Sequence, residues 1–393
     1  MLLLSSTNTV EVILSIPILY EMVYPRAKKS NLMENFKITE SDILLAVKTI
    51  KDKLTRTPEN IPSYFIKRCI YSIIQPLLYL FNSSLTHGFV PNQWKCSIIV
   101  PVYKKGDRNK PLNYRPISLT SSFCRIFELI VSHKILTHLL SNNLLSSFQF
   151  GFLPQRSSCD QLLSCLHQWL CSFSSNLTTN IIYTDIRKAF DSVSHPKLIQ
   201  TLIQYNINPL LITWIEQFLK DRKQQVIINN SLSTPLTVFS GVPQGSIIGP
   251  LLFNIYINDI TLCSSTLNGS GNIMLFADDA KLFSTNPNQL QISLDKTDSW
   301  LHSRQLSLAK DKCFHLQLNK PGISKSQPID FNFNNNKISH CSIIKDLGIY
   351  ISEDLKWAPH INHIFKIGSM TSYQILKSFK TKNIWTLLKL YTT

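Results

Sequence analysis

Three aspartates carry the first chemistry that this sequence suggests. Asp278 and Asp279 sit side by side in the otherwise apolar stretch LFADDAKLF, residues 275–283. Two full charges ~4 Å apart repel by about 4 kcal/mol at an effective dielectric near 20. Solvent at a turn, a shared proton or a cation can offset that repulsion. Alone, the pair reads as a solvated turn, because Asp is a favoured turn residue. Asp185 changes the reading: it ends a second apolar run, NIIYTD, so its carboxylate also falls at the end of a buried strand. Carboxylates converging at strand ends make a site for two hard divalent cations, with Mg²⁺ favouring carboxylate and phosphate oxygens. Two such ions ~4 Å apart can activate a hydroxyl and stabilise a leaving pyrophosphate.

The elements around these acids must bring them together. On a regular strand Asp278 and Asp279 would point to opposite faces. A tight turn over Ala277–Asp279 breaks that alternation, so NIMLFADDAKLFS reads as strand, turn, strand with the acids at the hairpin tip. The interval from Asp185 to Asp278 is 93 residues (278 − 185), ample for the strands to lie side by side in one sheet. Upstream, TESDILLAVKTIKDKL reads as a helix capped by Thr39, and PSYFIKRCIYSIIQPLLYLFNSSLTHG as a helix ending before Gly88. CSIIVPVY reads as a strand and SSFCRIFELIVSHKILTHLL as a helix. HPKLIQTLIQYNI and PLLITWIEQFLKDR follow as amphipathic helices, and QQVIINN with TPLTVFSG as a hairpin turning near Asn230. GPLLFNIYINDI and QLQISLDKTDSWLHSRQL are helical, with short strands at FHLQLN and DLGIYIS. The mixture predicts an α+β or α/β fold.

Composition bounds the rest. The 393 residues suggest two or three domains or subdomains, and 44% hydrophobic against 16% charged residues excludes wholesale disorder. A formal net charge of +16 favours a polyanionic partner, nucleic acid before an anionic membrane surface. Nine cysteines include no C-x-x-C pair, and Cys159, Cys165 and Cys171 recur at a spacing that suits neither zinc nor a disulfide framework. The ten histidines form no metal-binding cluster, and no P-loop occurs. Residues 1–35 fit no clear pattern and read as a leader. They lack the basic start of a signal peptide, and Glu11 and Pro17 interrupt them short of a membrane span. An intracellular protein, nuclear or cytoplasmic, not secreted and not membrane-bound, is expected.

Several motifs together carry a resemblance. YTDIRKAFDSVSH, SGVPQGSIIGPLLFNIYINDI and LFADDAKLF, in this order and spacing, resemble three central palm motifs of reverse transcriptases, specifically those of non-LTR (LINE-type, jockey-like) retrotransposons. GFVPNQWKCSIIVPVYKKGD, NYRPISLTSSFCRIFE, FQFGFLPQRSS, SLAKDKC and KDLGIYISEDLKWAPHI resemble the same family, over roughly residues 88 to 361. The resemblance implies an α+β right-hand polymerase fold, with fingers, a palm built on an antiparallel sheet and a partial helical thumb. It divides the chain into the leader (1–35), fingers and N-terminal helices (36–175), a palm with an interleaved fingers segment (176–335) and a primer-grip region with a truncated thumb (336–393). The implied activity is RNA-directed DNA polymerisation, with two Mg²⁺ ions (Mn²⁺ as a substitute), an RNA template, a DNA primer and dNTPs.

Roles follow position by position from the resemblance. Asp185, Asp278 and Asp279 would ligate metal, with Ile186 offering its backbone carbonyl. Phe190, five residues after Asp185, falls where the family places an aromatic gate against a ribonucleotide 2′-hydroxyl. Gln244, between Pro243 and Gly245, would touch the incoming nucleotide or its paired template base. Lys104, Lys105 and Arg115 fall where the family binds the triphosphate. Lys312 matches a lysine able to protonate the leaving pyrophosphate. His195 and the tryptophans Trp94, Trp300 and Trp357 read as structural, the tryptophans as core or subdomain anchors rather than base-stacking platforms. Thr57, Pro58, Glu59 and Asn60 replace a stretch the family fills with Gly and Asp, which alters the expected fingers tip. The sequence shows no endonuclease before the polymerase motifs and no zinc knuckle or RNase H region after them. It ends at LLKLYTT inside the expected thumb, which suggests a fragment of a larger polyprotein or a decayed copy. The rival readings are an inactive retroelement fragment that at most binds RNA, and an RNA-directed RNA polymerase. The three retained acids speak against the first, and Phe190 speaks against the second.

Overall fold

The computed structural model describes residues 31–52, 54, 57–264, 272–320, 329–333, 336–379 and 383–392. Most of the leader expected over 1–35 lies outside these residues. Its described end is tied down: Met33 N–H donates to Asn206 O at 2.9 Å, and Asn208 Nδ2 donates to Asn35 Oδ1 at 2.7 Å.

In chain order the first elements are α1 (Glu40–Thr49), α2 (Ser63–His87), β1 (Cys96–Tyr103), β2 (Tyr114–Leu119), α3 (Ser122–Ser141) and α4 (Ser158–Ser174). There follow β3 (Thr179–Asp185), α5 (His195–Gln204), α6 (Pro209–Leu219), β4 (Arg222–Ile228), β5 (Ser231–Leu232), β6 (Leu236–Val238) and α7 (Gly249–Ile257). Next come β7 (Asn272–Phe276), β8 (Asp279–Ser284), α8 (Pro287–Ser303), β9 (Phe314–Leu318), β10 (Asn332–Phe333), β11 (Asn336–Lys337) and β12 (Ser339–His340). The chain finishes with β13 (Ile343–Asp346), β14 (Ile349–Ser352), α9 (Ala358–Ser378) and α10 (Ile384–Thr392). The expected mixture of helices and sheets is borne out, and so is Thr39 as the cap of α1. Its hydroxyl accepts from Asp42 N–H while Asp42 accepts from Thr39 N–H, a reciprocal capping box.

The chain forms two compact units interleaved in sequence. The first holds residues up to Pro154 with Ile186–Cys263 and Ser299–Ser307. Its sheet runs β2-β1-β4-β5, with β6 also on β4. Strand β2 was not anticipated, because Pro116 lies within it. The strand pairs with β1 alone and therefore forms the edge of the sheet, where a residue without an N–H costs nothing. An aromatic cluster packs this unit: Phe127 stands 4.6 Å from Trp214, 5.3 Å from Phe81 and 5.8 Å from Trp94, centroid to centroid. Helix α7, apolar on all sides, is buried almost throughout.

The second unit holds Gln155–Asp185, Ser264–Asp298 and the chain from Leu308 onward. Its sheet runs β12-β9-β3-β8-β7, antiparallel except where β12 joins β9. Strand β3 lies at the centre with Ile181 and Ile182 fully buried, which is why it reads as a continuous apolar run. Trp169 of α4 meets Phe283 of β8 edge-on at 6.1 Å.

The tryptophans divide. Trp94 and Trp300 are core anchors as expected, but Trp357 is 50% exposed. It precedes α9, a helix that buries none of its residues, and lines an apolar cleft with Leu162, Leu166 and Ile351.

Candidate active site

The acids of the second unit are placed by strand pairing. In the β7–β8 hairpin, Phe276 pairs with Asp279, leaving Ala277 and Asp278 as a two-residue turn. Ala277 takes φ +56°, a left-handed conformation that costs a non-glycine residue roughly 1 kcal/mol or more. The turn puts Asp278 at the hairpin tip, half-buried, while Asp279 opens β8 and is exposed. Across the sheet Asp279 registers with Asp185, the last residue of β3. Residues directly opposite in an antiparallel pair present their side chains on one face, with Cβ atoms about 4.5–5.5 Å apart, and like charges there are unfavourable. Thr184 fixes this register from below, its Oγ1 donating to Ala280 O at 3.1 Å.

The electrostatics follow from that register. Asp279 is exposed at its surface, yet the packed protein behind it, then the Asp278 and Asp185 carboxylates, push its carboxyl up to about 6, with Lys281 opposing. Lys281 is buried two residues along β8, and its Nζ donates to Asp346 Oδ2 at 2.6 Å. Lys312 Nζ donates to Asp185 Oδ2, also at 2.6 Å. Its short 3₁₀ turn is held in place by Ala309 N–H, which donates to Asp185 O at 2.8 Å.

These residues fit a hard cation in their chemistry: oxygen donors, like charges in register, and a carboxyl raised by its neighbours. Among the described residues no three of His, Cys, Asp and Glu gather closely enough to hold a metal ion. Asp185 Oδ2 instead rests on the Lys312 ammonium.

The first unit carries the other predicted residues. Phe190 is half-buried, stacked on Phe253 at 4.6 Å and 21°, with Phe152 edge-on at 6.1 Å. Gln244 O accepts from Ser118 N–H at 2.9 Å, so the glutamine loop closes the outer edge of β2. A Cβ at Gly245 would fall 2.6 Å from Ser118 O, and φ is +110°, so only glycine allows this contact. Arg115 pairs with Val102 in the β1–β2 hairpin, and Lys104 and Lys105 follow β1. All three cations are exposed. Ile186 is 2% exposed. His195 is structural, as expected: its Nε2 bonds to Gly241 O at 2.8 Å.

Three features escaped the sequence reading. Glu128 is fully buried and accepts N–H groups of Ile247 (2.7 Å) and Ile248 (3.0 Å), holding the entry to α7. Burial raises its carboxyl above the usual range against the pull of those donors. The Lys281–Asp346 pair joins two motifs quoted above for other reasons. Asp191 bonds Gln244. A lone acid inside the apolar text FCRIFELIV was the available signal for Glu128.

Comparison with known proteins gives this geometry its context. Residues 102–350 match the reverse transcriptase (RNA-dependent DNA polymerase) family. A probable RNA-directed DNA polymerase from transposon BS of Drosophila melanogaster is 28% identical over 339 residues, 82% of this chain and 37% of that protein. The probable RNA-directed DNA polymerase of the X-element from the same species is 33% identical over 209 residues, 52% of this chain and 23% of its own length. The RNA-directed DNA polymerase from the mobile element jockey is 28% identical over 306 residues, 74% of this chain and 32% of its own length. The chain thus spans well under half the length of these relatives. The matched residues include β3 with Asp185, the acidic hairpin, the Gln244 loop and Lys312, and on that ground the chain belongs to the reverse transcriptase (RNA-dependent DNA polymerase) family, as its likeness to non-LTR retrotransposon enzymes anticipated.

Proposed function

We propose that this chain is the polymerase portion of a non-LTR retrotransposon protein and copies RNA into DNA by template-directed nucleotidyl transfer. The observation that carries the reading is the register of Asp185 with Asp279 beside Asp278, inside a stretch that matches the family. Asp185, Asp278 and Asp279, with the Ile186 carbonyl, would hold the metal ions, two Mg²⁺ or Mn²⁺ in their place. Bound there, such ions supply Lewis-acid activation of a primer 3′-hydroxyl and neutralise charge on a dNTP triphosphate.

The chain's own residues do the remaining work. Lys312 Nζ carries the proton nearest Asp185 and is the general acid for the leaving pyrophosphate. Phe190, held rigid by its stack on Phe253, excludes a 2′-hydroxyl by bulk. Gln244 contacts the nucleotide, and Arg115 with Lys104 and Lys105 binds its phosphates, the arginine as a planar fork and the lysines as point charges. Residues 36–175 serve as fingers, 176–335 as palm and 336–393 as primer grip and thumb. The charge of +16 tracks template and primer phosphates, so binding weakens steeply with salt. Among the described residues no helix is long and apolar enough to cross a membrane. An RNA template and dNTPs place the work inside the cell.

The test is primer extension on an RNA template with dNTPs or rNTPs. DNA product that depends on divalent metal and disappears with chelation supports the reading. A folded chain that binds RNA and extends nothing supports the rival one, an inactive RNA-binding fragment.

A further inference from the structure

Asp191 has none of the roles assigned above, yet its carboxylate has a specific partner. Its Oδ1 accepts a hydrogen bond from Gln244 Nε2 at 2.9 Å. The segments bearing the two residues are locked along their backbones. Val242 N–H donates to Phe190 O, and Gly241 N–H to Val193 O, both at 2.8 Å. Ser240 Oγ donates to Asp191 O at 2.9 Å. A Cβ at Gly241 would lie 2.7 Å from Asp191 Cα and from the Phe190 and Asp191 carbonyl oxygens, so a larger residue would force the segments apart. With its own carbonyl held by Ser118, Gln244 has a fixed backbone. Only its side chain is left to orient.

Packing does not orient it. Gln244 is half-buried, and beside it lies a small cavity of about 60 Å³ that Arg222, Gln224, Ser118 and Val242 also line. Such a space admits a few waters. The carboxylate does what packing does not. A carboxylate accepts hydrogen bonds and donates none, so the carboxamide must turn its NH₂ toward Asp191. That leaves Gln244 Oε1 and the second N–H for a ligand. A carboxamide turned the other way would present the opposite pattern.

We propose that Asp191 is a positioning residue for nucleotide selection. It fixes the Gln244 carboxamide so that Oε1 is offered to the incoming deoxynucleotide, on the same segment that carries Phe190. This rests on the reading of Gln244 as a nucleotide contact.

The test measures the dissociation constant of the next correct dNTP. The full chain is trapped in a ternary complex on an RNA template with a dideoxy-terminated primer, so no turnover is needed. Wild type, Asp191→Asn, Gln244→Ala and the double variant are compared, each with its melting temperature and its affinity for primer–template alone. An asparagine at 191 offers either a donor or an acceptor and no longer dictates the orientation. The expected result is dNTP binding weakened about three- to tenfold in Asp191→Asn, the scale of one hydrogen bond. The double variant should bind no more weakly than Gln244→Ala, with melting and primer–template affinity unchanged. Asp191→Glu, which keeps an acceptor-only group, should recover part of the loss. Weak binding in Gln244→Ala with wild-type binding in Asp191→Asn overturns the proposal and leaves the glutamine reading standing. So do losses that multiply in the double variant. Unchanged binding in Gln244→Ala removes the glutamine reading, and the proposal with it. A wild-type chain that binds no dNTP overturns the polymerase reading and the proposal together.

Discussion

In the β7–β8 hairpin an alanine takes a left-handed backbone, and a carboxylate at the start of β8 registers with a second on β3. In the loop from Gly241 to Ile248 the left-handed positions are glycines, and a buried glutamate accepts the N–H groups of the last two residues. The hairpin therefore keeps a cost that Lys312, paired with Asp185, relieves only in part, whereas the loop's own backbone donors are satisfied. That contrast separates acids whose mutual repulsion the fold leaves partly in place from a loop whose shape is set by its own hydrogen bonds. Substitutions in the hairpin should remove function while sparing or raising stability. Substitutions that strip the loop of its partners should lower stability.

The largest expected effect is on the hairpin's opposite number. Asp185→Asn should cut dNTP incorporation by on the order of 10³-fold, the loss of several kcal/mol of charge stabilisation in the transition state. Steady-state primer extension reads it, and retention of more than a tenth of the rate would remove Asp185 from the metal site. Glu128→Ala should lower the unfolding free energy by about 2–3 kcal/mol, because two backbone donors lose their acceptor. Urea unfolding at fixed pH checks this, with Glu128→Gln, which keeps one acceptor oxygen, expected to lose less.

Smaller effects sharpen the contrast. Phe190→Ala opens space beside Phe253 and should reduce discrimination against rNTPs about 10–100-fold, the range expected for a small change of pocket volume. Competition between dNTP and rNTP on one template measures it. Asp279 gives the pH dependence. Its carboxyl, raised to about 6 in the fold, binds protons more readily than in the unfolded chain. Stability from this group is therefore full below its unfolded value near 3.9 and is lost as pH rises through 6. Asp279→Asn should remove that loss, raising stability at pH 7.5 by on the order of 1 kcal/mol after discounting for the group's exposure. It should also flatten the dependence between pH 4 and 6. Thermal unfolding in divalent-free buffer shows whether the variant and wild type converge at low pH, as this requires.

Much of this architecture was legible in the residues. An apolar run closed by Asp185, and a second broken by paired acids, announce two strands and a turn because an unpaired charge is costly inside a buried strand; Lys281 sits within β8 only with Asp346 as its partner. The register between them was not legible. It depends on long-range pairing, and it sets Asp279, rather than Asp278, opposite Asp185. Helix α4 was missed because nine of the seventeen residues of its text, SCDQLLSCLHQWLCSFS, are Ser, Cys, His or Trp, middling helix formers that mask its four Leu and two Gln. Its capping box of Ser157 and Asp160 was the overlooked signal. The six-residue spacing of its cysteines advances about 600° around the helix, so Cys159, Cys165 and Cys171 do not share one face. Accordingly Cys165 is buried and the other two are exposed. Asp191 and Glu128 were illegible as partners because each acts on a loop more than fifty residues away in sequence.

The paired acids of the hairpin are expected to hold catalytic metal, and one assay reads this directly. Mg²⁺-dependent dNTP incorporation on a poly(rA)/oligo(dT) duplex is measured for the wild type beside the variant carrying both Asp278→Ala and Asp279→Ala, with RNA binding and melting temperature recorded for each. The expected result is incorporation by the wild type, none by the variant, equal RNA binding, and a variant no less stable than its parent. Incorporation that survives the loss of both acids would contradict it.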